Sequence, residues 1–96
     1  MAQYFWQETR ASRVRLGLTE GAQESFGAIK FAELPAVGDQ LTVGKPFLAV
    51  EAEKTVLDLD APLSGRVVAV NAAAADDPTV LDSPERSKNW IIELEA

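Results

Sequence analysis

The stretch Gly44-Lys-Pro-Phe-Leu-Ala-Val-Glu-Ala-Glu-Lys54-Thr-Val-Leu-Asp-Leu-Asp-Ala-Pro-Leu-Ser-Gly65 constrains the fold more than any other part of the chain. Glycine-bearing turns lie ten residues before Lys54 and eleven after it. Phe47 to Glu53 and Thr55 to Asp60 both read as strands, and only Lys54 separates them. A link that short allows antiparallel pairing and nothing else. The frame therefore predicts a tight hairpin with Lys54 at its tip, surrounded by Glu51, Glu53, Asp58 and Asp60.

The flanking sequence continues in the same style. Tyr4-Phe5-Trp6-Gln7 is aromatic and β-prone, and Arg13 to Leu18 alternates polar with apolar residues. Thr19 suits an N-cap, Glu20 the positive end of a helix and Gly27 a C′ position, which predicts a short helix over residues 19 to 26 with Ala22 and Phe26 buried. Strands follow at Ile29 to Leu34, Gln40 to Val43, Arg66 to Val70 and Trp90 to Leu94, punctuated by Pro35, Gly38, Pro46 and Pro62. Gly65 is expected to resist a β-branched replacement if its φ is positive. Residues 72 to 85 read as an acidic surface loop, in which Ala72 to Ala75 favour helix and Asp77-Pro78 resembles a capped start. Trp6, Trp90, Phe5 and Phe26 are assigned to the core. Short strands at this spacing predict one mostly β domain over residues 1–96, a small barrel or sandwich.

Composition narrows the chemistry. The chain has no Cys and no His, which removes thiolate nucleophiles, nearly every zinc site and the usual general base. Fifteen acidic against nine basic residues disfavour nucleic acid, whose phosphates need clustered Lys and Arg. No metal-ligand spacing, long apolar run or leader segment is visible, so no metal, no membrane contact and a cytoplasmic location are expected. Such a chain is expected to be no enzyme; any chemistry must come from an attached group.

A hairpin-tip lysine between symmetric arms suits covalent attachment of a swinging cofactor. The geometry alone leaves lipoate and its rivals open. Biotin is an alternative, although biotinylated lysines usually lie between methionines and here Glu53 and Thr55 are the neighbours. An unmodified binding module is the other.

The sequence resembles the glycine cleavage H protein and its shortened H-like relatives. The likeness rests on Leu18-Thr19, Gln23-Glu24, Glu33-Leu34-Pro35-x-Val37-Gly38-Asp39, Glu51-x-x-Lys54, Ala61-Pro62-Leu63-Ser64-Gly65, Val70-Asn71 and Asn89-Trp90-Ile91. It implies a barrel-sandwich hybrid of the lipoyl/biotinyl-domain type with one short helix, lipoate on Lys54, and a lipoate ligase or lipoyltransferase reading Glu51, Glu53 and Asp58. Glycine cleavage enzymes are the implied partners. The chain lacks the family's usual histidine. Tyr4-Phe5-Trp6 and Asn89-Trp90-Ile91-Ile92 look closer to the H-like branch encoded beside a sirtuin and a macrodomain protein. That branch implies an oxidative-stress role and ADP-ribosylation, for which Glu24 is the candidate acceptor; placing Ala22 and Phe26 inward leaves Glu24 on the solvent side.

Overall fold

The computed structural model describes residues 4–95. Eight strands form two sheets: β1 (Phe5–Arg10), β2 (Arg13–Leu18), β3 (Ile29–Glu33), β4 (Gln40–Leu41), β5 (Pro46–Ala52), β6 (Val56–Asp60), β7 (Gly65–Val70) and β8 (Trp90–Glu95). One sheet runs β1-β2-β8-β7-β4 and the other β3-β5-β6, all pairs antiparallel. The central strand β8 is buried on both faces from Ile91 to Leu94, and the inner faces of the two sheets meet in one contiguous cluster that includes Leu16, Leu48, Val50, Leu59, Val67, Ile92 and Leu94. This is the mostly β arrangement expected from the turn spacing, in the barrel-sandwich form that the resemblance implies.

Helix α1 (Glu20–Phe26) begins as its cap predicts: the Thr19 hydroxyl accepts from the Ala22 amide at 3.1 Å. Ala22 and Phe26 are its buried residues, and Gly27 ends it at φ 74°. A side chain is rarely tolerated in that left-handed conformation.

Residues 72 to 85 are not the surface loop expected overall, although the helix expected at Ala72 to Ala75 and the capped start at Asp77-Pro78 are both present. They hold α2 (Ala72–Asp76) and a 3-10 turn (Pro78–Asp82) and lead into α3 (Arg86–Asn89). Ala74 and Leu81 are fully buried and belong to the core cluster. Two buried apolar residues explain why this acidic stretch packs down. Polar staples complete the attachment: Gln23 Nε2 donates to the carbonyls of Leu81 and Ser83 at 2.8 Å each, and the Ile29 amide donates to the Asp82 carboxylate at 3.2 Å.

The aromatic assignments also divide. Phe26 is core, and Phe5 packs against the core cluster with its ring tilted at 56° to that of Phe47. Trp6 is buried elsewhere, lying over the backbone of its cross-strand partner Gly17, with its Nε1 donating to Asn89 Oδ1 at 2.9 Å and Arg86 above its ring. Trp90 is half-buried beneath the Arg15 guanidinium. Gly65 has no positive φ; it opens β7 and is buried, and a Cβ there would stand 3.1 Å from the Glu95 carbonyl oxygen. Its need for glycine comes from a close approach between strands, not from a turn.

Candidate functional site

The β5–β6 hairpin closes with a two-residue loop, Glu53-Lys54, because Glu51 pairs with Val56 and the Ala52 amide donates to the Thr55 carbonyl at 2.8 Å. Two-residue hairpin loops favour turns with positive φ at a central position. Among the described residues only Ala11 is a non-glycine with positive φ, so this loop lacks that twist. Its geometry is held from outside instead. The Glu53 amide donates to the Ala28 carbonyl and the Lys54 amide to the Phe26 carbonyl, both at 2.9 Å. The tip is thereby fastened to the connection between α1 and β3.

Gly27 makes that junction possible. An added Cβ would lie 2.9 Å from Glu53 Oε1 and 3.1 Å from Glu53 Cβ. The glycine therefore serves both the left-handed helix end and the close seat for the loop.

Lys54 is exposed, and its Nζ donates to the Glu24 carbonyl at 3.1 Å across the surface. The amine thus rests at the carbonyl end of α1, where helix dipoles favour a cation. This refines the expectation of a freely projecting lysine: the side chain is accessible yet has a resting position. Glu24 is exposed as well, and its side chain borders a shallow hollow with Gln23, Gly27, Ala28 and Asp82.

The other acidic candidates divide into two groups. Glu53 joins Lys54 and Glu24 around Gly27. Glu51 and Asp58 lie on the outer face of the three-stranded sheet, in neighbouring rows: Phe31–Glu51–Val56 and Glu33–Ala49–Asp58. Asp58 also borders a groove of about 740 Å³ between β1 and β6, whose lining includes Phe5, Leu57, Leu59 and Arg86.

Two carboxylates have perturbed acidity. Burial pushes Asp82 above the usual range, helped by the nearby Asp77 charge and opposed by the Ile29 amide. Burial acts in the same direction on Glu93, but hydrogen bonds from Arg15 and Arg13 outweigh it and hold that carboxyl below the usual range. Neither group lies at the hairpin tip. Among the described residues no cluster of acidic side chains could hold a metal ion, and no helix is long and apolar enough to cross a membrane.

The site therefore presents one accessible amine on a braced loop, with no catalytic apparatus around it. The model of the glycine cleavage H-protein family matches residues 1–96. The chain belongs to the glycine cleavage H-protein family. The H protein of Anoxybacillus flavithermus is 46% identical over 90 residues, covering 94% of this chain and 71% of that protein. That of Myxococcus xanthus is 39% identical over 90 residues, covering 94% and 70%. The crystal structure of a glycine cleavage system H protein from Mycobacterium marinum superimposes with a TM-score of 0.86 at 36% identity, covering 99% of this chain and 80% of that one. H proteins are non-catalytic carrier subunits, and the family carries lipoate.

Several residues that carry the H-protein likeness are structural. Asn71 Nδ2 donates to the carbonyls of Lys88 and Trp90, and Asn89 Nδ2 to that of Ser83. Asp39 Oδ2 accepts from the Ala36 amide to close its turn. The sequence reading missed Phe31 and Val56 as exposed neighbours of the hairpin tip, and missed the carbonyls of Phe26 and Ala28 as its supports. The positions of Gly27 and of the two glutamates after Val50 were the available signals.

Proposed function

We propose that this chain carries lipoate in amide linkage on Lys54 and delivers it among the enzymes of glycine cleavage. The carrying observation is the placement of Lys54: an exposed amine on a two-residue loop whose backbone is tied down on both sides. The residues fit the group, since nothing encloses the amine and only the Glu24 carbonyl has to be given up. Reversible dithiol–disulfide and group-transfer chemistry is what lipoate supplies when attached. The chain contributes position. A tether from a fixed Cα keeps its head group near a docked partner at an effective concentration on the order of millimolar. A lipoate ligase or lipoyltransferase reads Glu51, Glu53 and Asp58, the acidic residues nearest Lys54 in sequence on each arm of the hairpin.

Incubation with lipoate, ATP and a lipoate ligase should add one lipoyl mass, on the tryptic segment containing Lys54 and not on Lys30, Lys45 or Lys88. Lys54→Arg should stay unmodified, and full modification of that variant refutes the assignment. A biotin mass at Lys54 from the native host would favour the biotin carrier; no addition would favour the unmodified module. Lys54→Ala should unfold within about 0.5 kcal/mol of wild type, as exposed positions do.

The exposure of Glu24 beside the Lys54 loop is compatible with a second role. In this reading Glu24 accepts ADP-ribose from NAD when a sirtuin-type partner, paired with a macrodomain protein, docks at the tip. A carboxylate oxygen bonds to the ribose carbon as the bond to nicotinamide breaks, and nicotinamide departs with the electron pair. An adduct that persists in Glu24→Gln refutes this acceptor.

A further inference from the structure

The outer face of the three-stranded sheet carries a feature that neither the lysine nor its acidic neighbours explain. Phe31 is 53% exposed and Val56 76% exposed, two of the four large apolar residues left open to solvent among those described. They belong to one row, because Phe31 pairs with Glu51 and Glu51 with Val56. A bulge between Ile29 and Phe31 changes the phase of β3, turning Phe31 outward while Ile29 and Ala32 stay in the core. Two strand spacings make the row about 10 Å wide. Val56 is two residues from Lys54, and Glu33 and Asp58 lie in the next row.

We infer that this row is a docking surface for the enzyme that acylates Lys54, and that the enzyme answers it with a cationic side chain between two apolar contacts. The inference rests on the reading of Lys54 as the attachment site. An enzyme that uses the finished carrier meets the end of a long arm and can sit well away from the hairpin. The acylating enzyme must draw the bare amine into its own centre, so its surface comes to rest against whatever borders Lys54. Charge selects the partner's chemistry. The segment from residue 19 to 60, which supplies α1 and the whole three-stranded sheet, has eight Asp and Glu against three Lys, a net of −5 out of the chain's −6. All five arginines lie outside that segment, and each is within 4.0 Å of a carboxylate. A basic patch is therefore steered to the hairpin side. The apolar ends then exclude water around the Glu51 contact, as contacts flanking a central anchor do.

The test uses the full chain, lipoate, ATP and a lipoate ligase, with initial rates measured as the carrier concentration varies. Phe31→Ser with Val56→Thr should raise the KM for carrier about tenfold and leave kcat within twofold, since the row contributes binding and the amine is untouched. Val37→Thr with Val43→Thr, equally exposed but off this row, should change neither constant. Melting of each variant checks the fold, and Val56→Thr alone, with its strand-compatible side chain, gives the same reading if Phe31→Ser unfolds. Ligation of wild type with an unchanged KM for the row variants overturns the inference while leaving Lys54 as the attachment site. An unchanged ligase KM with reduced service to glycine cleavage enzymes reassigns the row to those enzymes, and loss of a dimer in sedimentation reassigns it to a second copy of this chain; either overturns it. Failure of wild type to be lipoylated at all removes the attachment reading, and the inference with it.

Discussion

Replacing Gly17 by alanine should destabilise the protein by about 3 kcal/mol, although the glycine has ordinary backbone angles. A Cβ at Gly17 would overlap Trp6 Cε2 and Cζ2, well inside any real contact. The ring cannot simply slide away. Its Nε1 is bonded to Asn89 Oδ1 at 2.9 Å, and Arg86 stands 4.7 Å above it. A buried tryptophan hides on the order of 150–250 Å², worth roughly 4–6 kcal/mol at about 25 cal/mol per Å². Re-exposing about half of that, with loss of a hydrogen bond worth about 1 kcal/mol, gives the figure stated. Urea unfolding followed by fluorescence measures it, and the melting midpoint should fall on the order of 15 °C. The decisive measurement is the same substitution in a Trp6→Ala background. With the ring gone, alanine replaces glycine within a strand, and the penalty should vanish or reverse by about 0.5–1 kcal/mol. An equal penalty in both backgrounds, or one below about 0.5 kcal/mol in wild type, would refute the contact as the cause.

Gly65→Val should cost about 2–3 kcal/mol in denaturant unfolding, through the 3.1 Å approach of its Cβ to the Glu95 carbonyl, and Gly65→Ala should cost less but not nothing. The two perturbed carboxylates should act with opposite sign under acid. Glu93, held low by Arg15 and Arg13, contributes stability that is present above its unfolded-state pKa and is lost as pH falls through the folded value. Asp82, raised by burial, opposes folding while charged and is relieved as pH falls through its raised folded value toward the unfolded one. Asp82→Asn keeps an acceptor for the Ile29 amide, so its midpoint at pH 7 should equal or exceed wild type; Glu93→Gln should lower it and flatten the acid limb of a stability–pH curve.

The hairpin frame was legible because glycine turns and short apolar arms leave few ways to pair, and all the expected strands from Phe47 to Asp60 appear within a residue or so. Helix α1 was legible through local chemistry, a threonine cap and a terminal glycine. Features set by tertiary contact were not. Strict alternation from Ile29 would bury Phe31, and only the bulge against β5 shows that it faces out. Residues 72 to 85 read as a loop because only Val80 and Leu81 among them are large apolar residues, yet Ala74 and Leu81 suffice to pin them. Position of Lys54 at a tip could be read directly; the carbonyls that brace the tip belong to Phe26 and Ala28, far back in the chain, and carry no signature of their own.

That bracing has a mechanical consequence. With the amide of Lys54 committed to the last residue of α1 and that of Glu53 to the segment after it, the loop cannot lean or fray like an isolated hairpin end. The pivot is then the Lys54 Cα, and all travel belongs to the side chain and what is joined to it. A head group on such a pivot sweeps a shell of fixed centre, so its visits to a docked partner depend on tether length and on the solid angle left open by α1. Loosening the pivot would spread the same visits through a larger volume and dilute every encounter, with no change at the lysine itself.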